Sequence, residues 1–262
     1  DAGAFARWLK TELVSNDRVS REVFLDADNL ESLDALLSYV AVDVQTLVVC
    51  VSKQIFFRPW CIGEMTTANE NTVDSILLSL PGAHVLDAES IAQLESLVPD
   101  LHCLLDTGLR TEVIQKAMAV FSEKPSIEVP MDINANGAVE LASLLAKGVH
   151  RGLVASEPLS TCQSKAIIVV DLDSFEANAA AHVLQRLLVS HTCHDPAEIP
   201  QVLSATQELP ESANKALIVC TSGCFDNSAF VARILQVSDS ELLVLPVIAD
   251  ADFRVPTRES LM

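Results

Sequence analysis

Apolar and polar positions change period repeatedly along this chain, and each change predicts an element. In DAGAFARWLKTELVS, Phe5, Trp8, Leu9 and Leu13 recur at helical spacing. REVFLDADN reads as a short strand, Val23 to Leu25, running into an acidic loop. ESLDALLSYVAV returns to helical spacing through Leu33, Leu36, Leu37 and Val40. TLVVCVS is an unbroken apolar run, as a parallel strand covered on both faces requires. PWCIGEMTTAN predicts a helix with Pro59 in its first turn. SILLSL (75–80) predicts a strand, AESIAQLESLV a helix and HCLLD a strand. TEVIQKAMAVF predicts a helix with Thr111 as its N-cap. Alternating strands and helices argue for a parallel sheet flanked by helices, the α/β class.

From about residue 125 the alternation breaks. KPSIEVPMDINANG holds two prolines and a turn-rich end, so it reads as connecting chain. GAVELASLLAKGV predicts a helix and GLVASEPLSTCQS a linker. An internal duplication then appears. Ala2, Ala4, Ala6, Leu9, Leu13, Val14 and Ser15 match Ala177, Ala179, Ala181, Leu184, Leu188, Val189 and Ser190, an offset of 175. Leu47, Val49, Cys50 and Ser52 match Leu217, Val219, Cys220 and Ser222, an offset of 170. Two blocks in one order at nearly one offset predict two tandem copies of one α/β unit.

The second copy has a strand, KAIIVVDLD (165–173), ahead of its first helix, and the first copy has no equivalent. The first copy is therefore expected to lack its opening strand, leaving a sheet position open. The second copy stops before equivalents of HCLLD and TEVIQKAMAVF. The expected division is 1–124 for the first domain, 125–163 for a linker with one helix, and 164–262 for the second domain. Missing parts at both ends read as a piece of a longer chain.

Composition narrows the function classes. Half of the 262 residues are apolar, ample for a buried core, and the formal charge is −19. Such a surface carries no footprint for nucleic acid or an anionic membrane. No apolar run is long enough to cross a bilayer, and no signal peptide is seen. The seven cysteines form no CxxC pair, which fits a reducing, cytoplasmic setting without disulfides.

With these elements in place, the first copy resembles a TIR (Toll/interleukin-1 receptor homology) domain. The resemblance rests on DAGAFARWLKTEL, VFLDADNLES, TLVVCVS and above all RPWCIGEM, residues 58–65. In the second copy ELLVLPVIADADFRVP is similar to the family's fourth strand and following loop. The resemblance implies a flavodoxin-like sheet and two roles. One is association with other TIR domains or a larger assembly, as an oligomer or complex subunit in signalling. The other is cleavage of NAD, as substrate, at the nicotinamide–ribose bond, with Glu64 as the catalytic carboxylate. The same resemblance assigns Trp60, Asn29, Leu30 and Glu31 to substrate contacts.

The residues themselves leave alternatives open. Trp60 and Glu64 lie one turn apart on a helix, where an indole and a carboxylate could flank a nucleoside. A carboxylate there could stabilise an oxocarbenium-like transition state. The same spacing suits ordinary packing, and a purely structural TIR-derived subunit is the alternative function. DADNLES reads equally as a solvated loop in which Asp28 or Asn29 caps the next helix. At the offset of 170, Trp60 falls on Phe230 and Glu64 on Ile234, so the second copy is expected to be catalytically silent. Asp171 and Asp173 after one strand, with Thr221 after another, also fit a phosphatase-like pattern, which the duplication makes unnecessary. HTCH (191–194), with Cys162 and His182, meets no standard zinc spacing, and no metal site is expected.

Overall fold

The structure is a computed structural model describing residues 2–29, 35–148, 164–191, 199–203 and 207–254; the side chains of Ala27 and Asn29 are outside that description. The chain divides into two compact units. One comprises Asp1–Ala2, Lys10–Ile133 and Gly137–Ala155, and the other Gly3–Leu9, Asn134–Asn136 and Ser156–Met262. The boundary falls inside the first helix, α1 (Gly3–Val14), after Leu9. Both units are α/β, with parallel strands flanked by helices. Among the described residues no helix is long and apolar enough to cross a membrane.

In the first unit β1 (Thr46–Val51), β2 (Asp74–Ser79) and β3 (Ser126–Glu128) form a sheet in that order, all parallel. Val49, Val51 and Leu77 point into a core closed by α4 (Pro59–Glu70) and α8 (Thr111–Glu123). From α4 come Ile62 and Met65, and from α8 come Ile114, Met118 and Phe121. The spacing of each set is three or four, so each helix turns one apolar stripe onto the sheet.

Three sequence expectations fail here, each for a local reason. Val23 to Leu25 form no strand. Among the described residues β1 pairs on one side only, with β2, so this extended segment has no ladder to join. Its Phe24 instead packs on Tyr39 of α3 (Leu36–Val42), ring centroids 4.3 Å apart. HCLLD is a helix, α7 (His102–Asp106), not a strand. Leu101 and Leu104 are buried while Leu105 is exposed, a three-residue period that a five-residue apolar run conceals. Gly108, at φ 96°, follows it in the left-handed region. SIE within the expected connecting chain is β3, parallel to β2. Pro125 and Pro130 bracket this strand rather than interrupt it, and it lies at the sheet edge, where proline is tolerated.

Smaller corrections concern caps. Arg110 precedes α8, and Thr111 is its first residue, its hydroxyl bonded to Glu95. Asp28 and Asn29 lie within a short helix, α2 (Asp26–Asn29), while residues 30–34 fall outside the described residues. AESIAQLESLV is two short helices, α5 (Ala88–Ala92) and α6 (Leu94–Leu97), separated at Gln93. The expected helix in GAVELASLLAKGV is α9 (Ala135–Ala146).

In the second unit β4 (Ala166–Val169), β5 (Gln201–Val202), β6 (Lys215–Cys220) and β7 (Leu243–Ile248) form a parallel sheet in the order β5-β4-β6-β7. β4 is buried along its length. Its Ile167 and Val169 join a cluster containing Phe230 and Val237 of α11 (Ser228–Ser238). Ile168 and Val170 join another containing Ala177 and Ala181 of α10 (Phe175–His191). The first turns of α1 belong to this unit, with the Phe5 ring 5.0 Å from that of Phe175.

One spacing recurs in both units. Thr46, Ile55, Pro59 and Asp74 open a strand, a 3-10 turn, a helix and a strand. Lys215, Cys224, Ser228 and Leu243 open the same four elements, each 169 residues later (215 − 46 = 169). Side-chain faces agree: Val49 and Val51 meet α4, and Ile218 and Cys220 meet α11. The offset of 170 set Val49 over Val219, which faces the α10 cluster instead. A one-residue slip in a strand turns every side chain to the wrong face, so the spacing of 169 replaces it.

Candidate functional site

Glu64 sits in the second turn of α4, behind β1 and the 3-10 turn Ile55–Phe57. Arg58 is extended at the N-cap, and Pro59 opens the helix where a missing N–H costs no bond. Ile62 and Met65, on either side of Glu64, are in the core. Gly63 permits a close approach of neighbouring elements: a Cβ there would meet Leu104 Cδ2 at 2.8 Å and Leu37 Cδ2 at 3.1 Å. These contacts hold Glu64 half-buried.

Burial raises the Glu64 carboxyl to about 8, and the nearby Asp26 carboxylate adds to the effect. Among the described residues no hydrogen bond or ion pair reaches that carboxyl. Cys61, one turn earlier, is pushed up to about 12 by burial and by Glu64, with Arg58 acting against both. The thiol therefore stays protonated, and Glu64 is the group able to exchange a proton near neutral pH.

The assigned residues are only partly brought together. Trp60 is half-buried and packs against the core cluster of the first unit, which is the packing role that its spacing allowed. Asn29 closes α2, its side chain outside the description, and Leu30 and Glu31 lie outside the described residues. Asp26 and Cys61 went unassigned in the sequence. Cys61 was findable, since three residues before Glu64 is a helical neighbour. Asp26 was not, because only the fold brings it near a residue far along the chain.

In the second unit the spacing of 169 puts Ala229 where the first has Trp60, and Arg233 where it has Glu64. This corrects the pairing with Phe230 and Ile234. The consequence for chemistry is unchanged, since a guanidinium cannot stabilise a developing cation. Asp171, after β4, is buried, and Asp173 is exposed. Asn227 Nδ2 donates to Asp171 Oδ1 at 2.6 Å and to Asp173 Oδ2 at 2.8 Å. Thr221 follows β6, with a buried hydroxyl that has no partner. Among the described residues no group of three or more His, Cys, Asp or Glu is placed to hold a metal ion. Most of HTCH and Cys162 lie outside the described residues. Cys50, Cys61, Cys103, Cys220 and Cys224 are free thiols. Compared with family models, curated proteins and solved structures, the chain matches none.

Proposed function

We propose that this is a TIR-like protein of two tandem flavodoxin-like copies, acting through association, with the first copy cleaving NAD through Glu64. The tandem reading is supported by the 169-residue spacing of four successive elements. The flavodoxin-like reading is supported by the order β5-β4-β6-β7, in which the first strand of the unit lies between the second and third. The observation that carries the catalytic reading is the raised carboxyl of Glu64 on the helix behind β1.

In the proposed reaction the C1′–N bond of the nicotinamide riboside breaks and its electron pair leaves with the ring nitrogen. The pyridinium thereby becomes neutral nicotinamide. The ribosyl cation is held against the Glu64 carboxylate until water adds to C1′ and releases a proton. A pyridinium beside Glu64 favours its ionised form, so substrate itself offsets the burial penalty.

Nicotinamide release from NAD tests this reading. Wild type is expected to release it, and Glu64→Gln to lose about 100-fold or more of the rate. No release by wild type would overturn the catalytic reading, and equal release by both would remove Glu64 from the role.

A second reading, a non-catalytic assembly subunit, is favoured by β7. Leu243, Leu245 and Ile248 are 56%, 45% and 64% exposed on one strand. Size-exclusion chromatography over a concentration series tests it, and a monomer throughout, with no partner, counts against it.

A further inference from the structure

The chain leaves β4 towards β5 on one side and reaches β6 on the other. In open parallel sheets such a reversal opens a crevice at the carboxyl ends of the two diverging strands. Here that crevice is a cleft of about 440 Å³, part of it open solvent. This is the small end of the range for small-molecule sites, about 300–1,000 Å³, and suits one compact ligand rather than a dinucleotide.

The lining has two chemistries. Leu172, Leu203 and Phe230 supply an apolar floor. Asp173 and Arg233 bring one carboxylate and one guanidinium to the same cleft. Asn227 also lines it, yet its amide is already committed. Its Oδ1 accepts from Ala229 N at 2.9 Å and Phe230 N at 3.3 Å, capping α11, while its Nδ2 bridges Asp171 and Asp173. Asn227 is therefore a strut that fixes Asp173, and the α11 N-terminus is not open to an anion. Arg233 reaches along its own helix, Nη1 donating to Gln236 Oε1 at 3.0 Å.

These features exclude the simpler ligand classes. A phosphate on Arg233 would face Asp171 and Asp173. A metal ion between the two aspartates would displace the Asn227 amide that joins them. A ligand with one charge of each sign and an apolar body satisfies every group. We propose that this cleft binds a free apolar α-amino acid, its carboxylate on Arg233, its ammonium on Asp173 and its side chain on Leu172, Leu203 and Phe230. The site is independent of Glu64, which lies in the other unit.

Isothermal titration of the whole chain tests this with L-leucine and L-phenylalanine against isopentylamine and 4-methylpentanoate. The amino acids are expected to bind saturably, and each single-charge analogue roughly tenfold or more weaker. Arg233→Ala should lose about that factor for L-leucine and leave isopentylamine unchanged. Asp173→Asn should mirror it, sparing 4-methylpentanoate. Ala229→Trp fills the cleft from an exposed position and should abolish binding without removing either charge. Circular dichroism establishes that each variant is folded. The proposal is overturned if neither amino acid binds saturably up to about 10 mM, or if L-leucine binds folded Ala229→Trp as tightly as wild type.

Discussion

Trp8 lies flat on His182, their ring centroids 4.2 Å apart and their planes 11° from parallel. Both rings are buried, and burial depresses His182 to about 4, with Gln185 acting against it and Arg186 with it. The pair fastens the first turns of α1 to α10. Glu176 of α10 adds a second fastening, accepting from Ala4 N at 2.9 Å where α1 has no side-chain cap of its own.

Acid should loosen this contact. A histidine whose folded value lies below its unfolded value contributes stability that is complete above about 6.5 and lost as pH falls towards 4. The loss is about 3 kcal/mol at most. Glu176, raised by burial, works in the opposite sense and blunts the change. Only two tryptophans are present, so a Trp60→Phe background reports Trp8 fluorescence alone. A transition between pH 6.5 and 4 is expected, and its persistence in His182→Gln would refute this assignment.

Glu64 carries the reverse sign. Its folded carboxyl is raised, so the unfolded chain releases the proton first and stability declines from about 4.5 to about 8. Glu64→Gln removes the titration. The variant should gain on wild type across that window by on the order of 2 kcal/mol, the full linkage value being discounted for partial exposure. Urea unfolding at pH 5 and pH 8 measures it, and a constant difference would contradict the buried position. If Glu64 is catalytic, nicotinamide release should rise over the same interval as the carboxylate forms.

The alternation of strand and helix was legible because fully covered strands leave unbroken apolar runs, as in TLVVCV and KALIVC. Pro59 marked the start of α4 by the same local logic. What was not legible depended on partners. Val23 to Leu25 have strand chemistry but no neighbouring strand, whereas β3 has two prolines and a place beside β2. Register was the subtler loss. Matching Leu47 to Leu217 maximises identity, but it sends Val49 to the face of Val219. Only packing against α4 and α11 decides between offsets of 170 and 169. For the site, Glu64 was readable from its motif, while the Asp26 carboxylate that helps raise it was not.

Asn227 couples a helix cap to two carboxylates, so its substitutions should separate the two roles. Asn227→Ala loses the cap of α11 and a partner of buried Asp171, at a cost of about 2–3 kcal/mol. Asn227→Asp keeps an acceptor for Ala229 N and Phe230 N but sets a third carboxylate against Asp171 and Asp173. It should be the less stable variant at pH 7 and recover ground as pH falls through the carboxylate range. Thermal melts at pH 7 and pH 4.5 check this, and pH-independent ranking would rule out the repulsion.

The edge of β7 is held back by one residue. Leu243 N donates to Asn214 O and Ala249 N to Cys220 O, so these backbone groups face β6. In a parallel ladder alternate residues turn their backbone groups to opposite sides, so Val244, Pro246 and Ile248 face away. Pro246 has no N–H to offer at the centre of that edge. In the first unit the same place, 169 residues earlier, is Leu77, which is paired with Ser126 of β3. A strand this apolar and uncovered would otherwise be a template for another chain, and proline is a recognised means of blunting it. Pro246→Val restores the donor while keeping an apolar, strand-compatible side chain. Sedimentation at rising concentration should show the variant associating where wild type does not, or associating about tenfold more tightly. Identical sedimentation of the two proteins would mean that Pro246 does not guard the edge.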